Sequence, residues 1–350
     1  MGQCTSEERA RLHAWFNVYA KQEAHGLEEL QAMYEVEKTR SHRQKFIWLP
    51  YVAAIFIVGL VGIWYFYEGS SIAVKTERHA HIPVDIAPGG NRAILTLANG
   101  RTVNLSETQK GIVVDDDIRY NDGSSVVGEQ EDKLISIPPF ARSLMLSTPK
   151  GGTYQITLSD GTQVWLNAAS TLTYPEQFAD NERAVRLEGE AYFSVVKDEH
   201  RPFRIKSRGQ EIVVLGTEFN VSAYHDDVTE GTTLVEGSVL LQSALSGENT
   251  QLFAREQGLI KKGTIKKQTV DPTPFVAWKN GDFYFDNTSL VDMMKQIERW
   301  YDVDVIYEGQ VPQERFSGGM SRNVTLQTVL QLLKVSEIKY YISGKILIIE

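Results

Sequence analysis

Asp115-Asp116-Asp117 sets carboxylates two apart, the D-x-D spacing that can hold a metal–nucleotide complex. The triplet stands in a polar stretch without a flanking hydrophobic strand, so a solvated acidic turn is the preferred reading. His79 and His81 could begin a metal site, but no third ligand stands nearby, and two side chains seldom hold zinc. Lys150-Gly151-Gly152 is a glycine turn without the Lys-Ser/Thr and helix of a P-loop. No G-x-S-x-G, H-E-x-x-H or paired-acid motif occurs in a fitting context. The single Cys4 excludes an intramolecular disulfide and any cysteine-based zinc cage. No catalytic, cofactor-binding or metal-binding residue is therefore assigned, and no enzyme is expected.

Asn104, Asn220, Asn287 and Asn323 begin Asn-x-Ser/Thr sequons, and Met1-Gly2 through Ser6 fits a myristoylation pattern. With the D-x-D they define an alternative, a membrane-tethered envelope enzyme of the type II glycosyltransferase kind. The cysteine-free C-terminal region of about 280 residues is unusual for a secretory-pathway enzyme, which argues against it. Asn287 is expected at a helix start, where a capping role explains it.

The elements that would position any site come from composition and periodicity. The 350 residues are 42% hydrophobic and 23% charged, ordinary values for globular protein, and the length suggests two or three domains. A net charge of −9 argues against a direct nucleic-acid binder. No charged residue occurs from Phe46 to Tyr67. As a helix this stretch measures about 33 Å, close to the hydrocarbon thickness of a bilayer. Trp48 and Tyr51 at one end, with Trp64, Tyr65 and Tyr67 at the other, form interfacial belts. Residues 46–67 thus read as a transmembrane helix. Lys38, Arg40, Arg43 and Lys45 before it outweigh Lys75 and Arg78 after it, which puts 1–45 in the cytoplasm and 68–350 outside.

Within 1–45, Thr5 and Glu8 fit a capping box, and Leu12, Trp15, Phe16 and Tyr19 repeat at helical spacing. Gly26 separates a second stripe, Leu27, Leu30, Met33 and Tyr34. Residues 68–90 read as a linker ending in Pro88-Gly89-Gly90. From 91 to 275 the period is two, with turn dipeptides, which predicts an all-β, hairpin-rich domain, solenoid- or sandwich-like. Thr96-Leu97-Ala98-Asn99-Gly100 and Thr157-Leu158-Ser159-Asp160-Gly161 share one pattern and predict the same hairpin twice, each on a type I′ turn. Further strands are expected at Ala191–Val196, Phe203–Lys206, Glu211–Leu215, Glu218–Tyr224 and Thr232–Gln242, with acidic loops between 111 and 133. Residues 276–350 predict a small α+β domain with a repeated βαβ unit, because Ser289-Leu290 maps onto Thr325-Leu326. The stripes Leu290, Met293, Met294, Ile297, Tyr301 and Leu326, Val329, Leu330, Leu333 read as core.

A set of ordered motifs spans this region. They are Thr148-Pro149-Lys150-Gly151-Gly152, Leu158-Ser-Asp-Gly-Thr-Gln-Val-Trp-Leu-Asn-Ala168 and Tyr174-Pro175. Then come Arg186-Leu-Glu-Gly-Glu-Ala-Tyr-Phe-Ser-Val195, Arg201-Pro-Phe203, Leu215-Gly-Thr-Glu-Phe-Asn-Val221 and Glu236-Gly-Ser-Val239. In these the chain resembles the FecR-type anti-sigma regulators of Gram-negative bacteria, in the form common in Bacteroidetes. Phe283–Glu308 resembles the domain that follows in those members, itself similar to signalling domains of secretins and TonB-dependent transducers.

The resemblance implies a single-pass inner-membrane protein with a cytoplasmic N-terminus and a periplasmic C-terminus. It would sequester an extracytoplasmic-function sigma factor and respond to the N-terminal signalling domain of an outer-membrane TonB-dependent transducer. It implies no cofactor, no small-molecule substrate and no direct nucleic-acid contact. A structural secretin-like assembly component is the other alternative. Leu12, Trp15, Phe16 and Tyr19 are the candidate sigma contacts, or else pack only on the neighbouring helix. In some family members the chain is cut at a Gly–Thr matching Gly216-Thr217; an ordinary β-turn there is the preferred reading. The cytoplasmic unit is expected to be incomplete, since two helices in about 40 residues bury too little apolar surface to fold alone; either the true start lies upstream of Met1, the preferred reading, or the sigma factor supplies the missing face.

Overall fold

Period-two alternation governs the chain from Ile94 to Thr269, and the buried members of each strand face one shared core. The computed structural model describes residues 85–115, 117–126 and 142–350. The segment 1–45 with Leu12, Trp15, Phe16 and Tyr19, the span 46–67, the linker as far as residue 84, and His79 and His81 lie outside the described residues. Among the described residues no helix is long and apolar enough to cross a membrane.

Two antiparallel-rich sheets pack face to face. One runs, in order of adjacency, Thr102–Asn104, Ile94–Thr96, Ser143–Thr148, Ser170–Pro175, the first half of Arg183–Ser194, Phe203–Lys206, Gln210–Val214, Ser238–Ser243 and Asn249–Phe253. The other runs Ile118–Tyr120, Gly111–Val114, Gly152–Thr157, Gln163–Leu166, the second half of Arg183–Ser194, Glu218–Ala223, Glu230–Glu236, Glu256–Lys261 and Thr264–Thr269. After the long strand, successive hairpins join the two sheets alternately. The expectation left between solenoid and sandwich is thus a sandwich, filled by residues such as Leu146, Leu172 and Leu187 from one sheet and Ile156, Phe193 and Phe219 from the other.

Arg183–Ser194 serves both sheets by turning at Gly189, whose φ is +91°. A side chain there would sit 2.4 Å from Ser170 Oγ, so glycine is required for space as well as conformation. The pairing partner changes at that residue, from Thr171 opposite Glu188 to Ala223 opposite Gly189.

Three expectations for the sandwich are corrected. The twin hairpins are real and share their hydrogen bonds, Gly100 N to Leu97 O and Gly161 N to Leu158 O, both 2.8 Å. Only the glycines have positive φ, +82° and +83°, so each is a type I turn closed by a glycine bulge rather than a type I′ turn, which needs two such residues. The stretch Thr232–Gln242 is two strands, Glu230–Glu236 and Ser238–Ser243, broken where Gly237 takes φ +91°. Part of the acidic stretch 111–133 is a hairpin, because Ile112 and Val114 are buried and hold it down.

After a helical turn at Thr273–Asn280 a second core begins. Asp282–Ser289 leads into α1 (Leu290–Tyr301) and Asp304–Tyr307; Arg315–Ser321 leads into α2 (Leu326–Val335), then Tyr340–Ser343 and Ile346–Ile349. Leu290, Met293, Met294 and Ile297 from α1 meet Leu326, Val329, Leu330 and Leu333 from α2 over Phe283 and Phe285. The repeat is present but is not a βαβ crossover. The strands before each helix pair with each other, Asp282–Ser289 with Arg315–Ser321. Those after the helices form a separate sheet, Asp304–Tyr307 with Ile346–Ile349 with Tyr340–Ser343. Each helix carries apolar residues on a face broad enough to span both small sheets, so its flanking strands need not be neighbours.

Candidate functional site: a polar docking face

The two cores meet across polar side chains. Asn167, at the end of the strand Gln163–Leu166, donates its amide to Glu190 Oε2 at 2.7 Å. Asn220, on Glu218–Ala223, donates to Glu190 Oε1 at 2.9 Å. Glu190 itself follows the Gly189 turn, which aims its side chain between the two amides. From the C-terminal domain, Arg322 Nη1 donates to Asn167 Oδ1 at 3.1 Å, and Trp278 Nε1 to Asn220 Oδ1 at 3.1 Å. The Arg322 guanidinium lies 4.1 Å from the Trp300 ring centre and 5.0 Å from that of Phe283. Asn220 is 2% exposed and Arg322 3% exposed.

Burial raises the Glu190 pKa although both amides favour the carboxylate. Burial likewise lowers that of Arg322, to about 10. No ion pair joins them; Asn167 stands between and bonds both. Arg322 Nε has no hydrogen-bond partner.

Ion pairs rim this centre. Lys150 Nζ reaches Glu298 Oε1 and Asp304 Oδ1, each at 3.0 Å. Burial opposes the Lys150 charge, but the two carboxylates outweigh it and raise its pKa. Arg299 lies 3.6 Å over the Tyr224 ring and bonds Asp226 Oδ1 at 2.7 Å; Lys295 bonds Asp227 at 2.6 Å. Burial works against ionising Asp226, yet Arg299 prevails and lowers its pKa. The backbone joins in, with Gly151 N donating to Arg299 O at 2.7 Å. Beside the face opens a cleft of about 320 Å³ lined by Thr153, Gln155, Trp165, Trp278 and Lys279. Its Lys279 ammonium sits over Trp165 at 4.7 Å and Tyr192 at 4.6 Å.

Two family models match the chain in these two domains, FecR protein over residues 145–240 and FecR, C-terminal, over 282–349. Two crystal structures, at 1.65 Å and 2.50 Å resolution, of a candidate anti-sigma factor from Parabacteroides distasonis ATCC 8503 are similar in fold. Each is 30% identical, with a TM-score of 0.55, and the match covers 59% of this chain and 98% of that one. No curated protein matches. The chain belongs to the FecR family of anti-sigma factors. That family is regulatory rather than enzymatic.

In this FecR chain the motifs that carried the resemblance converge on the docking face. Lys150 comes from Thr148–Gly152, Asn167 from the stretch ending Leu-Asn-Ala168, Gly189 and Glu190 from Leu-Glu-Gly-Glu, and Asn220 from Glu-Phe-Asn-Val221. Each lies within a motif of the family resemblance, and none has a role that local spacing assigns. Asn220 alternates with Phe219 and Val221, which face the sandwich core, so it stands on the outward face of its strand, where a polar residue is ordinary and gives no signal; only the C-terminal domain covers it.

Other candidates stand apart. Thr217 is buried and its hydroxyl donates to Ser238 O at 3.0 Å; Gly216, in the bend before it, lacks positive φ, and a Cβ there would stand 2.7 Å from Lys197 Cα. Asp115 and Asp117 flank Arg119 at 3.5 and 3.6 Å in an exposed hairpin turn. Among the described residues no group of three or more His, Cys, Asp or Glu is placed to hold a metal. Asn220 is closed to glycosylation by burial and by two hydrogen bonds. Asn287 does not cap α1; Ser289 does, its Oγ accepting from Asp292 N, while Asn287 sits in a strand bulge at φ +49°.

Proposed function

We propose that this chain is a single-pass inner-membrane regulator, with 1–45 in the cytoplasm, 46–67 as the span and 68–350 in the periplasm. Its N-terminal segment sequesters an extracytoplasmic-function sigma factor, with Leu12, Trp15, Phe16 and Tyr19 as contacts. Its periplasmic part receives the signalling domain of an outer-membrane TonB-dependent transducer, and that contact releases the sigma factor. The observation that carries this reading is the pairing of both FecR domains in one chain with 30% identity to a candidate anti-sigma factor. The uncharged stretch and the basic residues before it support the topology.

The test is co-purification of the full chain in detergent with whatever extracytoplasmic-function sigma factor its operon encodes. A stable complex is expected, lost when Trp15 and Phe16 are both changed to Ala. Separate elution of the two wild-type proteins overturns the reading. A reporter active only in the periplasm should work when fused after Glu350 and fail when fused near Arg40; the reverse pattern overturns the topology.

A further inference from the structure

Helices α1 and α2 occupy equivalent places in the repeat, yet their first turns are satisfied differently. In α1 the residue before the helix caps it, Ser289 Oγ accepting from Asp292 N at 3.2 Å. In α2 the equivalent Thr325 makes no side-chain cap bond. Its open amides are met by Asp85 and Ile86. Leu326 N donates to Ile86 O at 2.9 Å, and Gln327 N to Asp85 Oδ1 at 3.0 Å. Ile86 also packs against the C-terminal core.

A few residues later the same segment belongs to the sandwich. Gly90 N donates to Gly151 O at 2.8 Å, and Gly90–Asn91 pairs in parallel with Gly152–Thr153. Gly89 lies where the segment, the Lys150-Gly151 turn and the end of α1 meet. A Cβ on it would stand 2.7 Å from Gly151 O and 2.8 Å from both Trp300 Cε3 and Trp300 O. A Cβ on Gly90 would meet nothing within 4 Å. Pro88-Gly89-Gly90, expected to be linker, is a packed junction.

We infer that the docked C-terminal domain is a latch on the chain's entry segment, holding Asp85–Asn91 against the sandwich when docked and freeing it when undocked. Docking and ordering of the segment are one event, because Gly151 N bonds Arg299 O while Gly151 O bonds Gly90 N. The latch rests on the proposed function only for the direction of the signal, from the C-terminal domain toward the membrane.

Hydrogen exchange on the full chain in detergent, without sigma factor or transducer, tests the latch separately from that function. Gly89→Ala should speed exchange of the Gly90, Gly151, Leu326 and Gln327 amides by at least about tenfold. Gly90→Ala should change Gly151, Leu326 and Gln327 by less than about twofold, and the core amides of Ile205 and Phe219 should hold in both. Equal behaviour of the two variants overturns the latch, as does loss of protection in the core along with the segment. Should Gly89→Ala fail to fold, Asp85→Ala decides. Acceleration reaching Gly90 and Gly151 supports the latch, and acceleration confined to Leu326 and Gln327 overturns it.

Discussion

Arg183→Met tests the most deeply buried ion pair among the described residues. The Arg183 side chain is 1% exposed and its partner Asp160 4%, with Nη1 2.8 Å from Asp160 Oδ2. Nη1 also donates to Val196 O at 2.8 Å and Nε to Arg201 O at 2.9 Å. Methionine keeps an apolar stem but removes the charge, the guanidinium 5.5 Å from the Phe203 ring centre and all three bonds. Asp160 would retain only the amide and hydroxyl of Thr162, and two carbonyls would lose a donor. Breaking a buried pair by removing one partner costs about 3–5 kcal/mol. At about 2–4 °C per kcal/mol for a domain of this size, the unfolding midpoint should fall by roughly 6–20 °C. Thermal circular dichroism of the full chain in detergent reads it. Adding Asp160→Asn removes the stranded charge, so the double variant should recover at least about 1 kcal/mol against the sum of the single changes. A fall under about 2 °C for Arg183→Met, or strict additivity in the double, refutes the reasoning.

Three further outcomes follow from the docking face and the shared strand. Gly189→Ala adds a clash with Ser170 and a positive-φ penalty, so it should destabilise by about 2–5 kcal/mol in the same assay. Glu190 has a raised folded pKa, so its contribution to stability is full below the unfolded carboxylate value and is lost as pH rises through the folded one. The wild type should therefore lose stability relative to Glu190→Gln as pH climbs from about 4 toward neutrality, measured as the difference in unfolding midpoints. Raising salt toward 1 M shortens the Debye length to about 3 Å and should speed exchange at the Gly151 amide, because the rim pairs of Lys150 are partly exposed.

Much of the fold is legible locally. The helical stripes of the C-terminal domain depend only on spacing within a turn or two, and the structure places them as the spacing implies. The sandwich is legible where alternation is clean and opaque where one strand changes sheet. Only Ala191–Val196 was expected of the long strand, because Glu188, Gly189 and Glu190 interrupt the apolar rhythm just where the strand turns. Turn type escaped for a similar reason: Asn-Gly and Asp-Gly serve both a type I′ turn and a type I turn with a bulge, and the choice lies in the φ of Asn99 and Asp160. The docking face was hidden more deeply. Asn167, Glu190 and Asn220 each sit singly on a strand, and Arg322 lies far along the chain, so no spacing rule gathers them.

The chemistry of that face bears on how it could act. The large apolar side chains are divided between two separate cores, and what joins them is amides, one carboxylate, arginines over aromatic rings and rim ion pairs. Each such contact regains little more than it lost in leaving water, and the unpartnered Nε of Arg322 adds a penalty that docking must carry. Docking held this way is specific in geometry and modest in free energy. Shifting a two-state equilibrium from 1:99 to 99:1 takes about 5.5 kcal/mol of differential affinity, which a protein partner binding over a standard interface can supply. An apolar seam of the same area would hold the C-terminal domain too firmly for that. The polar face, poor as glue, suits a latch meant to open, and Gly89 at its junction couples its state to the segment Asp85–Asn91.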